Sequence, residues 1–264
     1  LVGAALILQR TSRELETAVL NFDSDKLIVI PLESGTAGSR GVRPGVLGEV
    51  KDRLLALPGV SRVAWATVPP LSNVNLVQDL VPSGGGPAQS VSGNEVDPNY
   101  FETVGLPFVA GAPFRAGDVR AIVLNETAAR RLTATGPVGA EIQLVSPFGN
   151  TSLRVVGVVR DSKYFTLDEL QRPFAYFLSG FSTSGTGVLV VRTSLAPEPM
   201  IPAFRREIAT VDPMLPIGEI RSMREDLGVH LGRGRFLALN TAIFSGVAVA
   251  AAMAALFGSL SQFA

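Results

Sequence analysis

The stretch Val46–Thr67, VLGEVKDRLLALPGVSRVAWAT, changes periodicity halfway along, and that change sets the fold. Val46, Leu47, Val50, Leu54 and Leu57 recur at helical spacing until Pro58-Gly59 stops them. Val63, Trp65 and Thr67 then alternate with Ala64 and Ala66, which predicts a half-buried strand. Upstream, the short apolar run Leu27–Ile30 ends at Pro31 before the glycine-rich loop Gly35–Gly45. The unit is strand, helix, strand.

The pattern returns late in the chain. Gly187–Val191 is an apolar strand, and Met200, Ile201, Phe204 and Ile208 form one helical face that Asp212-Pro213 ends. Pro216–Ile220 is extended. Two βαβ halves so far apart in sequence can pair into one ferredoxin-like sheet with its helices on one face, leaving the chain between them as an insertion. The insertion has its own apolar elements. Asn125 is placed to cap a short helix running to Leu132, before Gly136-Pro137. Leu153–Val159 is a nearly continuous valine strand containing Gly157, which predicts burial on both faces or close approach by other backbone. Pro82-Ser-Gly-Gly-Gly-Pro87 reads as a flexible link between lobes. It lacks the lysine and hydroxyl residue of a phosphate loop. The fold class is therefore α+β, a split βαβ lobe with an inserted smaller α/β lobe.

Composition adds membrane helices to this picture. The 264 residues carry 23 basic and 23 acidic side chains, a formal net charge of zero, with no cysteine and one histidine. No global field gathers phosphates, so nucleic acid is excluded as a partner. Disulfides, thiol nucleophiles and thiolate metal sites are excluded as well. All the charges lie between Arg10 and Arg235. The uncharged 29-residue segment 236–264 would measure about 43 Å as a helix, against about 30 Å of hydrocarbon in a bilayer. Its 11 Leu, Ile, Val and Phe residues favour insertion by roughly 3 to 7 kcal/mol. Residues 1–8 read as the end of a truncated earlier transmembrane helix. Between them the expected divisions are 9–90 and 182–235, the two halves of the sheet lobe with its stalk, and 91–181, the inserted lobe.

Two features of the terminal segment are candidate functional positions. Ala238, Ala242, Gly246, Ala250, Ala254 and Gly258 stand at four-residue spacing, a stripe on which another helix can pack closely. Gly228, Gly232 and Gly234 precede the span and weaken a helix by about 1 kcal/mol each relative to alanine, which marks a stalk hinge.

Catalytic signatures are scarce. His230 lies among those glycines as a solvated interfacial side chain, and Gly180-Phe-Ser182-Thr-Ser184 lacks the second glycine of a nucleophile elbow. Asp168-Glu169 and Glu225-Asp226 read as solvated surface charge, and Arg130-Arg131 and Arg205-Arg206 as polar helix faces. Asp161-Ser-Lys-Tyr164 follows a buried strand as a turn with a salt bridge, or as a functional loop. No catalytic, cofactor-binding or metal-ligating residue is assigned.

Ala121-Ile-Val-Leu-Asn-Glu-Thr-Ala-Ala-Arg-Arg-Leu132, Pro137-Val-Gly139 and Val155-Val-Gly-Val-Val-Arg-Asp161 together resemble the extracytoplasmic core domain of MacB-like, FtsX-type ABC-transporter permeases. Asn99-Tyr-Phe101, Gly105-Leu-Pro107, Val211-Asp-Pro-Met-Leu-Pro216 and Arg235-Phe236 follow in the same order as in that family. The resemblance implies a permease subunit with this porter-like domain outside the cytoplasm of a bacterial cell, between two helices of the inner or plasma membrane. It implies ATP bound by a separate ABC ATPase subunit, a second permease copy, and a periplasmic adaptor or other envelope partner, with membrane lipid around the spans. Export of a substrate is the leading expectation. The alternative is an FtsX-like scaffold that regulates an envelope enzyme without moving a solute. Gly111–Asp118 and Ser146–Thr151 are the candidate adaptor-binding loops.

Overall fold

The computed structural model describes residues 24, 26–32, 45–72, 74–115, 117–134, 136–147, 149–165, 169–179 and 187–225. In chain order these form β1 (Leu27–Leu32), α1 (Val46–Leu55), β2 (Val60–Ala66), β3 (Leu76–Val81), β4 (Gln89–Val96) and α2 (Tyr100–Val104). There follow β5 (Phe108–Gly111), β6 (Ala121–Asn125), α3 (Glu126–Leu132), β7 (Glu141–Val145) and β8 (Thr151–Val159). Last come β9 (Phe174–Leu178), β10 (Gly187–Thr193), α4 (Ile201–Val211) and β11 (Arg221–Ser222). The hinge glycines, the packing stripe and the segment 236–264 lie outside the described residues, as do Asp168, Asp226 and His230. Among the described residues no helix is long and apolar enough to cross a membrane.

The two βαβ halves pair. Their strands lie in the order β11-β1-β10-β2, every pair antiparallel, with β10 between the two strands of the first half. Ile28, Ile30, Leu32, Val63, Trp65, Leu189 and Val191 share one core with Val50 and Leu54 of α1 and Phe204 and Ile208 of α4. Each helix contributes an i, i+4 pair, the spacing that puts two side chains on one face. Full burial of a side chain such as Leu54 or Phe204 is worth about 1.5–3 kcal/mol. Pro31 does not end its strand. It pairs with Val188 beyond the reach of β11, where no ladder hydrogen bond from its nitrogen is needed.

The rest closes on itself. Strands β3, β7, β8, β6, β9 and β4 form a six-stranded ring completed by the β4–β9 pair, with β4–β9 and β6–β8 parallel and the others antiparallel. Leu80, Val91, Ile122, Leu124, Ile142, Leu144, Leu153, Val155, Ala175 and Phe177 fill it, and Ala128, Ala129 and Leu132 of α3 join that core. This barrel is not the ferredoxin-like arrangement, and a layered α/β lobe does not describe it. Closure satisfies its strand edges with other strands, so no helix layer is needed. The Pro82–Pro87 stretch is the β3–β4 hairpin turn inside the barrel, with the Ser83 N–H donating to Leu132 O at 2.9 Å, rather than a link between lobes.

Strand β5 lies antiparallel on β8 as a strap. Here glycine is required twice. Gly111 has φ of +71°, and a Cβ there would stand 2.2 Å from Val156 O. One on Gly157 would stand 2.6 Å from Ala112 O. The close backbone approach expected at Gly157 is thus the strap itself.

Candidate functional site

Two buried constellations organise the barrel and its contact with the sheet. The first is polar. Asn125 ends β6 in extended conformation and caps α3, its Oδ1 accepting from Ala128 N at 2.8 Å. The same oxygen accepts from Phe174 N at 2.9 Å, while Nδ2 donates to Arg172 O at 2.7 Å. The expected helix cap also ties β9 to β6. Asp161 completes the arrangement. Its Oδ1 accepts from Thr127 N at 2.9 Å and its Oδ2 from Thr127 Oγ1 at 2.7 Å, and Arg130 Nη2 lies 3.4 Å from Oδ2. Glu126 returns a bond, its Oε2 accepting from Asp161 N at 3.0 Å. The motif residues Asn125, Glu126, Thr127 and Asp161 thus join β6, α3, β8 and β9.

This arrangement is structural in its chemistry. Thr127 is buried, its hydroxyl proton is donated to Asp161, and its oxygen accepts from Arg130 Nη2 at 2.7 Å. The hydroxyl is thus held between a carboxylate and a guanidinium and ties α3 to the segment after β8. Asp161–Tyr164 is an irregular segment after β8, and the salt bridge of Asp161 is with Arg130 of α3 rather than within the segment. Glu169 departs from expectation. It is buried, Oε1 accepts from Tyr164 N at 2.5 Å, and Lys163 Nζ donates to its carbonyl oxygen. Arg205 and Arg206 lie exposed on α4 as expected, whereas Arg130 turns one guanidinium nitrogen inward to Asp161.

The second constellation is aromatic. Phe101 of α2 is 1% exposed and stands edge-on to Phe108 and Tyr176, each at a centroid distance of 5.0 Å, and 5.8 Å from Phe114. Tyr164 stacks on Phe174 at 3.9 Å. All three tyrosines of the chain, Tyr100, Tyr164 and Tyr176, are buried here. Burial pushes each phenol above its usual value, opposed at Tyr100 by a hydrogen bond with Asn94 and reinforced at Tyr176 by its two tyrosine neighbours. Beside Tyr100 and Tyr164, the cleft bordered by Pro69, Pro70, Val74 and Phe165 leaves only about 30 Å³, room for water rather than an organic ligand. A wider polar cleft of about 330 Å³ lies between Asp118, Arg120, Glu141 and Arg154. Among the described residues no group of His, Cys, Asp and Glu is arranged to hold a metal.

The two candidate adaptor loops are separated by the β7–β8 hairpin. Ser146–Thr151 forms its turn, whereas Gly111–Asp118 leads to Arg120, whose carbonyl accepts from Arg154 N at 2.8 Å near its open end. Phe114 is 4% exposed and belongs to the aromatic core rather than to the surface.

No curated protein sequence matches the chain. Among solved structures, it is similar to the periplasmic region of MacB from Actinobacillus actinomycetemcomitans. That match has a TM-score of 0.56 at 15% identity and covers 81% of this chain and 94% of that one. It is also similar to a permease protein domain from Porphyromonas gingivalis, with a TM-score of 0.50 at 13% identity, covering 75% of this chain and 91% of the other. These likenesses show the fold. The sequence profile of the MacB-like periplasmic core domain matches residues 6–211, most of the chain and both constellations. The chain therefore belongs to the family of MacB-like periplasmic core domains of ABC-transporter permeases.

Proposed function

We propose that this chain is the extracytoplasmic part of a permease subunit, where it couples ATP-driven motion of membrane helices to substrate export or to engagement of a partner. The observation that carries this reading is the family match over residues 6–211, on a domain whose buried polar groups build structure rather than a reaction centre. ATP is bound by a separate ABC ATPase subunit. Two permease copies pair, and an adaptor or envelope protein meets the barrel loops. The domain stands outside the inner or plasma membrane, held by the apolar segment 236–264, with Ala238, Ala242, Gly246, Ala250, Ala254 and Gly258 as its helix-packing stripe. Gly228, Gly232 and Gly234 form the hinge below the domain.

The test is reconstitution of the full-length permease with its ATPase in lipid. Stimulation of ATP hydrolysis by a transported compound is the expected outcome. Hydrolysis insensitive to every compound tried, together with activation of a bound envelope hydrolase, overturns export in favour of a scaffold. Continuous slow amide exchange from Met223 through Phe236 in lipid overturns the hinge.

A further inference from the structure

The barrel and the sheet share little backbone. Between β2 and β4 the register holds one residue pair, Ala66 with Val96, flanked by Thr67 N–H to Glu95 O at 2.8 Å and Asp97 N–H to Trp65 O at 3.0 Å. A junction this narrow would ordinarily act as a hinge. Side chains from one short segment, Asn94–Val104, instead close it from both sides. Buried Asn94 reaches across to the chain leaving β2, accepting from Val68 N at 3.0 Å and donating to Val68 O at 2.8 Å. Asp97, also buried, accepts from Trp65 N at 2.9 Å and pairs with Lys51 of α1.

Helix α2 then fills the angle. Glu102 meets Arg62 of β2 at 2.6 Å, and the Thr103 carbonyl accepts from Arg192 Nε of β10 at 2.5 Å, so one side of this five-residue helix is fastened to the sheet. The other side inserts Tyr100 and Phe101 among Phe108, Phe114 and Tyr176, on the strap and the barrel. The helix cannot rotate with one body without breaking its packing on the other, because packed interiors shift between discrete arrangements rather than deform continuously.

We infer that Asn94–Val104 is a clamp that makes sheet and barrel a single rigid lever, so that motion entering the sheet from the membrane reaches the barrel surface undiminished. This rests on the coupling function proposed above. It adds that the coupling is by rigid-body displacement, with bending confined to positions outside the two lobes.

These 264 residues contain no cysteine, so spin labels placed in them need only the replacement of any cysteine elsewhere in the permease and its ATPase. Arg205→Cys on α4 and Gln143→Cys on β7 put one label on the exposed surface of each lobe. In the full-length permease with its ATPase in lipid nanodiscs, the distance distribution should be one narrow peak, unmoved between nucleotide-free and ATP-trapped states. A second peak, or a shift of about 5 Å, the step by which packed elements ratchet past one another, overturns the rigid lever. Phe101 is a core ring, so the clamp is loosened instead by Asn94→Ala combined with Arg62→Ala. Provided that this variant keeps its circular dichroism spectrum, the peak should broaden; a peak that stays narrow overturns the clamp's role. ATP hydrolysis measured on the same samples scores the export reading separately, since a rigid lever and a scaffold function are compatible.

Discussion

Strands β1 and β10 of the sheet, LIVIPL and GVLVVRT, are buried along nearly their whole length, whereas β7 of the barrel, EIQLV, buries only Ile142 and Leu144. The difference lies in how many faces are covered. A strand buried on both faces reads as an unbroken apolar run, and a barrel stave with one face in water reads as alternation. In β8 both styles meet. Its first half alternates as Ser152, Leu153, Arg154 and Val155 along the wall, and its second half is buried at Gly157, Val158 and Val159, where β5 pairs with it antiparallel. Burial pattern along a strand therefore maps the neighbours in this molecule, and the place where the pattern changes locates the strap.

The largest test of the comparison strikes the seam where the two regions meet. Burial holds the three phenols protonated in the folded state, whereas in the unfolded chain they ionise near pH 10. Their raised folded values mean that the associated stability is fully present below about pH 10 and is lost above it as the unfolded chain releases protons. The slope is about 1.4 kcal/mol per pH unit for each tyrosine, about 4 for all three. Phenolate absorbance should stay absent from the native chain near pH 10 and then rise together with loss of helical ellipticity. Gradual ionisation while the fold persists would show that the seam is open to solvent. A related substitution is Phe101→Ala, which should cost about 3–5 kcal/mol in denaturant unfolding, because its ring touches both the strap and β9.

Next in size is the polar knot. Asn125→Ala removes two buried hydrogen bonds and one part-buried one and leaves Ala128 N, Phe174 N and Arg172 O without that partner, a loss of about 2–4 kcal/mol. A loss under about 0.5 kcal/mol would mean that water replaces the side chain and that the barrel end is looser than its burial suggests. The glycines offer a contrast within the barrel itself. Gly157→Ala forces a Cβ against Ala112 O and should release β5, seen as faster amide exchange at Ala112. Gly84, in the β3–β4 turn with open space around it, should accept alanine with a gain of about 0.5 kcal/mol through the unfolded state.

What the sequence made legible follows the same division. Helices α1 and α4, their stops and the flanking strands are local patterns, and the Asn125 cap is readable because capping needs only neighbours along the chain. Barrel closure was not readable, since it rests on the parallel pairing of Ser92 with Phe174 and of Ile122 with Val155, for which no local residue pattern codes. The same limit hid Asn94 and Asp97, ordinary polar residues until β2 and α1 arrive beside them. Glu169 misled for a different reason. Adjacent acids signal solvated charge on a helix, but this residue lies in an irregular segment whose backbone N–H groups need acceptors, and its carboxylate supplies one to Tyr164.

The smallest expected effect separates surface from core in the two adaptor loops. Arg115→Glu and Asn150→Glu alter exposed side chains at opposite ends of the β7–β8 hairpin, and each should leave unfolding stability within about 0.5 kcal/mol. Arg115 deserves the closer look, because its backbone N–H already donates to Asp118 Oδ2 at 2.7 Å, so an acid there stands beside another. If that repulsion opens the turn, the next residues to loosen are Phe114 and then Phe101, and the cost would rise well above the surface value. A small effect at Asn150 combined with a large one at Arg115 would show that only the hairpin turn is free to change for a partner, while Gly111–Asp118 belongs to the clamped interior.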